Sequence, residues 1–448
     1  MRLNPRSVTN GKAMPRAAVW RAVPLLVVGA APLAQDYQGA MCWSAESAFC
    51  AANGTAPPAV SGLDADLLAE LTGRRPATWS EARIAPILEV LGAVDDYGEI
   101  CRLSLDFGAG VAPTTLVAKH IRPKEDAPFG SSSLSYKEHR RFLQGFLVEA
   151  AAHKAFAEPL AAAGVALPRA VLTSDARLGQ PFSIVMEDLS LRFPRGLARQ
   201  MLPAETRAAL RWLAGLHAAF WERAAPETRG LWRSGTHWRF DEVAALQLRE
   251  LPEGFANGLI GAGEWRRLRA AAPAIGARLA GRVASGVAAP RPRHRTVVHG
   301  DAKPANMLCS DAARRPGTDD GDAEVACIGI DYAWAGEGYG MCDVAYLLWD
   351  EPAADAIVGF MRYYHAELQR RLPTGAAAAF TPLVMQKHFE LCVLDYARWY
   401  VAFRRGALFR AMPWAMDIVR GVLQELDGGA FLSEEEYAAA VGGHYPLD

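Results

Sequence analysis

His299-Gly300-Asp301-Ala302-Lys303-Pro304-Ala305-Asn306, followed by Ile330-Asp331-Tyr332, is the stretch on which the reading of this chain turns. Before it, Thr296-Val297-Val298 is a short β-branched run, a composition that predicts a strand. The run breaks at His299-Gly300, where glycine permits a tight turn. Asp301 then stands at a strand end, facing a cleft. Lys303 lies two residues further on, and Asn306, five residues after Asp301, offers a neutral amide oxygen. A second apolar run, from Val325 to Ile330, predicts a strand that delivers Asp331. The polar stretch 310–324 between the two reads as a hairpin, which brings Asn306 and Asp331 to the same end of the cleft.

These groups match the demands of phosphoryl transfer from ATP to a hydroxyl. That reaction needs a carboxylate at the acceptor oxygen, cations on the phosphates and oxygen ligands for magnesium, and otherwise mostly positioning. Asp301 is the candidate base, and Lys303 neutralises the transferring group. Mg2+ prefers one or two carboxylates together with phosphate oxygens and water, a set that Asn306 and Asp331 supply.

Composition narrows the alternatives. The 448 residues are long enough for two lobes around a cleft, and half of them are hydrophobic. A formal net charge of -1 argues against a nucleic-acid partner, which would need a surplus of Lys and Arg. Seven cysteines at irregular spacing, without a C-x-x-C pair, argue against a disulfide framework or zinc site. They predict reduced thiols in an intracellular compartment. Residues 1–60 read as a leader, either disordered or processed. Its first 35 residues hold no Asp or Glu, and its apolar stretch is too short and too proline-broken for a stable membrane span. The compartment is cytoplasmic, or organellar if the leader is a transit peptide.

Along the chain, Leu67, Leu68 and Leu71 open a short helical pattern. Strands are expected at Ile87 to Leu91, Glu99 to Phe107 and Thr115 to Ile121. A charged helix follows from Tyr136 to Phe156, then a strand from Phe182 to Met186. Helical periodicity dominates afterwards: Leu213, Leu216, His217, Phe220 and Trp221 form an amphipathic stripe. Further helices are expected at Asp355 to Arg371, Leu383 to Arg404 and Pro413 to Leu426. Strands first and helices second predict a bilobal α+β fold, with an antiparallel-sheet lobe over 61–186 and a mainly helical lobe over 187–448. A nucleotide would lie between them.

The set of motifs resembles the aminoglycoside phosphotransferase and choline kinase superfamily, which has the protein-kinase-like fold. Its wording is most similar to the ecdysteroid-kinase-like (CHK kinase-like) branch. The resemblance rests on His299 to Asn306, on Ile330-Asp331-Tyr332, and on Gly336, Gly338 and Gly340 leading into Asp343-Val344-Ala345-Tyr346. Val185-Met186-Glu187-Asp188-Leu189, the stretch Leu213 to Trp221, and Leu394 to Trp399 extend it from about Leu63 to Leu426. It implies an ATP-dependent small-molecule kinase with Asp301 as base and Asn306 and Asp331 on magnesium. Lys119 would hold the α- and β-phosphates, Glu138 would orient that lysine, and the backbone of Met186, Glu187 and Leu189 would meet adenine. The acceptor it implies is a hydroxylated small molecule, steroid-like or otherwise hydrophobic; the oligomeric state is left open. One departure stands out. The first hairpin, 92–98, lacks a glycine-rich phosphate loop and carries Asp95-Asp96.

That hairpin favours the alternative of a catalytically silent nucleotide-binding or scaffold protein of the same fold. A protein kinase is disfavoured, because Asp331 is followed by Tyr332-Ala333 and Ala225-Pro226-Glu227 precedes the catalytic stretch. The remaining polar residues have structural readings. His299 is expected to bond backbone near its turn, His217 to be a satisfied core histidine, and Asp343 to cap the following helix as structural support. Gly336-x-Gly338-x-Gly340 reads as a flexible substrate-side loop. Asp319-Asp320-Gly321-Asp322 lacks the spacing of a calcium loop. Trp221, Trp232, Trp238, Trp349 and Trp399 read as core, with an apolar acceptor pocket as their other use.

Overall fold

The computed structural model describes residues 63–86, 97–123, 134–196, 200–223, 230–256, 259–281, 293–311, 325–403 and 413–445. The leader with Cys42 and Cys50, the strand expected at Ile87 to Leu91, Asp95-Asp96, Ala225 to Glu227 and the 319–322 segment lie outside them.

The first lobe is a helix, a sheet and a long helix: α1 (Ala65–Thr72), β1 (Thr78–Pro86), β2 (Gly98–Asp106), β3 (Thr114–Ile121), α2 (Leu134–Ala162), β4 (Ala170–Leu172) and β5 (Phe182–Glu187). The strands form one antiparallel sheet in the order β1-β2-β3-β5-β4. Strand periodicity splits its side chains between two faces. Ile100, Val117, Ile121 and Ile184 pack with Phe146 of α2. Leu103, Leu105, Leu116 and Val185 pack with Leu68 and Leu71 of α1. Asp64 caps α1, accepting from the Asp66 and Leu67 backbone N–H groups.

Strand β1 was not anticipated. Its Ser80, Glu81 and Arg83 give it a polar reading, yet it pairs along its length with β2.

The second lobe is mainly helical. It contains α3 (Pro203–Ala219), α4 (Glu242–Glu250), α5 (Ala262–Leu279), then β6 (Arg295–Val298), β7 (Met307–Cys309), β8 (Cys327–Gly329) and β9 (Gly336–Tyr339). Helices α6 (Met341–Leu347), α7 (Ala354–Gln369), α8 (Thr374–Ala379), α9 (Pro382–Phe403), α10 (Pro413–Asp427) and α11 (Glu434–His444) complete it. The architecture is the expected bilobal α+β one. A single apolar core joins α3, α5, α6, α7, α9 and α10 around Trp238, Trp265, Leu213 and Leu394.

Two expectations are corrected here. Gly336 and Gly338 do not form a loop; they are the strand β9, paired with β6. Small residues are needed because a Cβ at Gly336 would lie 2.4 Å from the Trp232 carbonyl oxygen. The thiols are not all reduced either, since Cys309 and Cys327 form a disulfide. They are direct partners in the β7–β8 ladder with Cα atoms 4.1 Å apart, so the pairing register places them side by side. Cys101, Cys342 and Cys392 are free. Among the described residues no helix is long and apolar enough to cross a membrane.

Candidate active site

The turn after β6 is built to a demanding shape. Gly300 has φ +80°, and a Cβ there would sit 1.9 Å from the Trp334 carbonyl oxygen, so only glycine fits. The N–H groups of His299 and Gly300 donate to the two carboxylate oxygens of Asp343, at 2.7 and 2.9 Å. Asp343 is fully buried, and His217 Nε2 lies 3.1 Å from it. His217 Nδ1 in turn is 2.7 Å from the Tyr364 hydroxyl. Asp343 therefore supports the turn from beneath instead of capping α6, whose N-cap is Gly340. His299 accepts from the Asp301 N–H through Nδ1 (3.3 Å) and donates through Nε2 to the Ile330 carbonyl (3.0 Å).

The Asp301 side chain is gripped from several sides. Lys303 Nζ and Asn306 Nδ2 each lie 2.9 Å from its Oδ2. His237 Nδ1 is 3.4 Å from Oδ1, and the partly buried Tyr346 packs against the His237 ring beside the same carboxylate. Burial alone would raise the Asp301 pKa. The Lys303 charge and the His237 contact outweigh it and hold the group well below the usual carboxylate range. Conversely, Lys303 is raised, because Asp301 and Asp331 overcome its own burial.

Asn306 and Asp331 flank neighbouring strands, one just before β7 and the other just after β8. Asn306 closes a 3-10 turn over Pro304–Asn306 that leads into β7, and its carbonyl accepts from the Ile330 N–H at 3.0 Å, just after β8. The Asn306 amide nitrogen is committed to Asp301, so its oxygen is the atom suited to a cation. Asp331 has φ 64°, a left-handed conformation uncommon outside glycine that Asp tolerates. A carboxylate and an amide oxygen make a hard donor pair, which fits a Mg2+ ion completed by water and phosphate oxygens.

Lys119, on β3, reaches this site across the sheet. Its Nζ is 2.5 Å from Glu149 Oε2 and 3.4 Å from Asp331 Oδ1. Burial opposes its charge, but Asp331 and Glu149 together raise its pKa. Burial pushes the Glu149 carboxyl upward against the pull of Lys119. The expectation that Glu138 would orient this lysine is corrected. Glu138 instead accepts from Gln247 Nε2 at 2.9 Å. Eleven positions of helix, at 1.5 Å each, put the two glutamates about 16 Å apart on α2. A sequence signal for Glu149 existed: it is a lone acid inside Phe146-Leu147-Val148-Glu149-Ala150-Ala151, and an acid buried in an apolar run calls for a cation.

At the exit of β5, Met186 pairs with Val117 of β3 and Ala170 of β4. The Glu187 N–H donates to the Arg169 carbonyl (3.1 Å). Asp188 caps the short turn Leu189–Leu191 through the Ser190 N–H and pairs with Arg102 at 3.0 Å; Leu189 is buried. The expected hinge thus lies between the lobes.

Sequence reasoning missed His237 and Tyr346. His237 is placed by the preceding Thr236, which has φ 77°, an outlier for a β-branched residue. The Thr236 N–H bonds to the Trp334 carbonyl and the His237 N–H to the Gly300 carbonyl. The His237 ring meets Trp238, Trp334, Tyr346 and Trp399, with centroids 4.7 to 6.1 Å away. Of the five tryptophans singled out in the sequence, Trp221, Trp238 and Trp349 are core, whereas Trp232 and Trp399 are only partly buried. Trp232 stacks on Trp334 at 5.8 Å.

The family model described as "Phosphotransferase enzyme family" matches residues 139–374, more than half of the 448. No curated protein matches the chain. Among solved structures, a microcompartment-associated aminopropanol kinase is 16% identical, with 86% of this chain and 99% of that one covered at a TM-score of 0.39. An amicoumacin kinase in complex with AMP-PNP, Ca2+ and Ami is 12% identical, covering 77% and 87% at 0.39. A spectinomycin phosphotransferase in complex with ADP and spectinomycin is 11% identical, covering 84% and 97% at 0.39. The family model alone decides membership.

Proposed function

Because the chain belongs to the phosphotransferase enzyme family, we propose that it moves the γ-phosphate of ATP to a hydroxyl of a small molecule. The observation that carries this reading is the Asp301 carboxylate held by Lys303 and Asn306, with the Lys119–Asp331 pair in the same cleft.

In this reading Asp301 orients the acceptor hydroxyl and receives its proton. With its pKa held low, Asp301 is a weak base. It takes the proton late, once the acceptor O–P bond is forming and the bond to the ADP oxygen is breaking, as a loose transition state allows. Lys303 and Lys119 hold phosphate oxygens, and Glu149 fixes the direction of Lys119. Mg2+, on Asn306 and Asp331, would neutralise charge on the β- and γ-phosphates. With the Glu187 N–H engaged by Arg169, adenine recognition falls to the backbone beyond it, toward Leu189.

The aromatic rings around His237 support an acceptor that presents apolar surface beside its reactive hydroxyl. The test is to incubate the protein with Mg-ATP and a metabolite extract, and to look by mass spectrometry for a species that gains a phosphate. Thermal stabilisation by Mg-ATP with no phosphorylated product would favour a silent nucleotide-binding protein instead.

A further inference from the structure

Away from the cleft, Glu81 of β1, Cys101 of β2 and His120 of β3 converge on the sheet face turned toward α1. A carboxylate oxygen, a sulfur and a ring nitrogen lie within 4.8 Å of one another. Pairing register makes this meeting obligatory. Arg83 of β1 is opposite Cys101, which makes Glu81 a diagonal neighbour of that cysteine. Cys101 is opposite Ala118, which makes His120 its diagonal neighbour on the other side.

The imidazole is set up as a ligand. His120 is 1% exposed, and its Nδ1 lies 2.7 Å from Ser183 Oγ on β5. An Nδ1–H donated to that hydroxyl leaves a lone pair on Nε2, the tautomer that such outer contacts select in metal sites. Nε2 is buried without a hydrogen-bond partner and points at Glu81 Oε2, 3.5 Å away. Two electron-rich atoms thus face each other at about the ligand-to-ligand spacing of a tetrahedral ion with bonds near 2 Å.

We propose that Glu81, Cys101 and His120 bind a zinc-type divalent cation at a site separate from the phosphoryl-transfer centre. The oxygen, sulfur and nitrogen donors suit such an ion and not Mg2+ or Ca2+, which take oxygen ligands. Three protein ligands leave a fourth position for water. Burial, then the Glu99 and Glu81 charges, push the Cys101 thiol up to about 12, so it is protonated until a cation arrives. Binding forms the metal–sulfur bond and releases the thiol proton to solvent. Arg83 and Arg122 lie beside Glu99, at 3.5 and 2.9 Å, and offset its charge. Entry is from the edge of the sheet, where β1 is the outermost strand and Glu81 is partly exposed.

The experiment strips the full chain with chelator and titrates it with Co2+ alone. One equivalent should produce a thiolate-to-cobalt charge-transfer band in the near ultraviolet, and Zn2+ should displace it. Cys101→Ala should abolish the band, whereas His120→Gln should weaken Co2+ binding about tenfold or more. The band should survive in Cys42→Ser/Cys50→Ser and in Asp331→Asn, which separates this site from other thiols and from the catalytic cleft. Circular dichroism establishes that each variant is folded; if Cys101→Ala is not, the His120→Gln affinity decides. Absence of the band in the wild-type chain, its persistence in Cys101→Ala, or unchanged affinity in His120→Gln would overturn the proposal.

Discussion

Glu149 Oε2 lies 2.5 Å from Lys119 Nζ, so the long helix α2 holds the sheet lysine by a carboxylate three helical turns beyond Glu138. The contact is deeply buried, and losing it would leave the ammonium to Asp331 alone. Glu149→Gln is expected to weaken Mg-ATP binding and to slow transfer about a hundredfold through misplacement of the phosphates. Glu138→Gln should do neither. Calorimetric titration with Mg-ATP of the two variants, side by side, decides the matter.

Asp301→Asn should abolish transfer while Mg-ATP still raises the melting temperature, because the substitution removes the base and spares Lys119 and Asp331. Transfer that survives would remove Asp301 from the role of base.

The pH dependence follows from the depressed Asp301 pKa. A carboxylate whose folded pKa lies below its unfolded value near 3.9 contributes stability that is fully present above that value. The contribution is lost as pH falls through the folded pKa. Removing the Lys303 ammonium should raise the Asp301 pKa, so Lys303→Met should shift the acid limb of the transfer rate to higher pH. A pH–rate profile of wild type and variant measures the shift; coincident acid limbs would contradict it.

Reduction of the Cys309–Cys327 bond opens a loop with a sequence separation of 18. Cross-links of that span contribute about 3 kcal/mol in the chain-entropy account. The unfolding free energy from urea titration should differ by an amount of that order with and without reductant, and Cys327→Ser should remove the difference.

Asp343→Ala leaves two buried backbone N–H groups and His217 without their acceptor. A loss of about 3 to 5 kcal/mol is expected, as for a buried charge network broken on one side. Asp331→Asn should destabilise less than Asp343→Ala, because Glu149 keeps Lys119 paired and Asn also tolerates the left-handed backbone, while reducing the response to Mg2+.

The stretch from His299 to Asn306 was legible because its signals are local. A β-branched run, a glycine turn and spaced polar residues fix their own geometry, and so do the amphipathic repeats of α3, α7, α9 and α10. The parts that were not legible depend on which turn of one element meets which strand of another. Glu149 rather than Glu138 meets Lys119 because of the depth at which α2 packs under β3. Cys309 meets Cys327 through ladder register, and His237 reaches Asp301 through two long-range backbone bonds. Glycines at 336 and 338 read as a loop by composition, whereas crowding by Trp232 and Val298 gives them a place in a strand.

The anchoring of the turn by Asp343, His217 and Tyr364 has a consequence for divergence. The turn is secured by Asp343 of α6, backed by His217 of α3 and Tyr364 of α7, while the rings around His237 come from α6, α9 and the segments before α4 and β9. Recognition and reaction therefore share α6, which carries both Asp343 and Tyr346, whereas α9 serves recognition alone. Substitutions at Trp399 are expected to change acceptor preference without moving the backbone that carries Asp301, whereas Tyr364, through His217 and Asp343, is tied to that backbone.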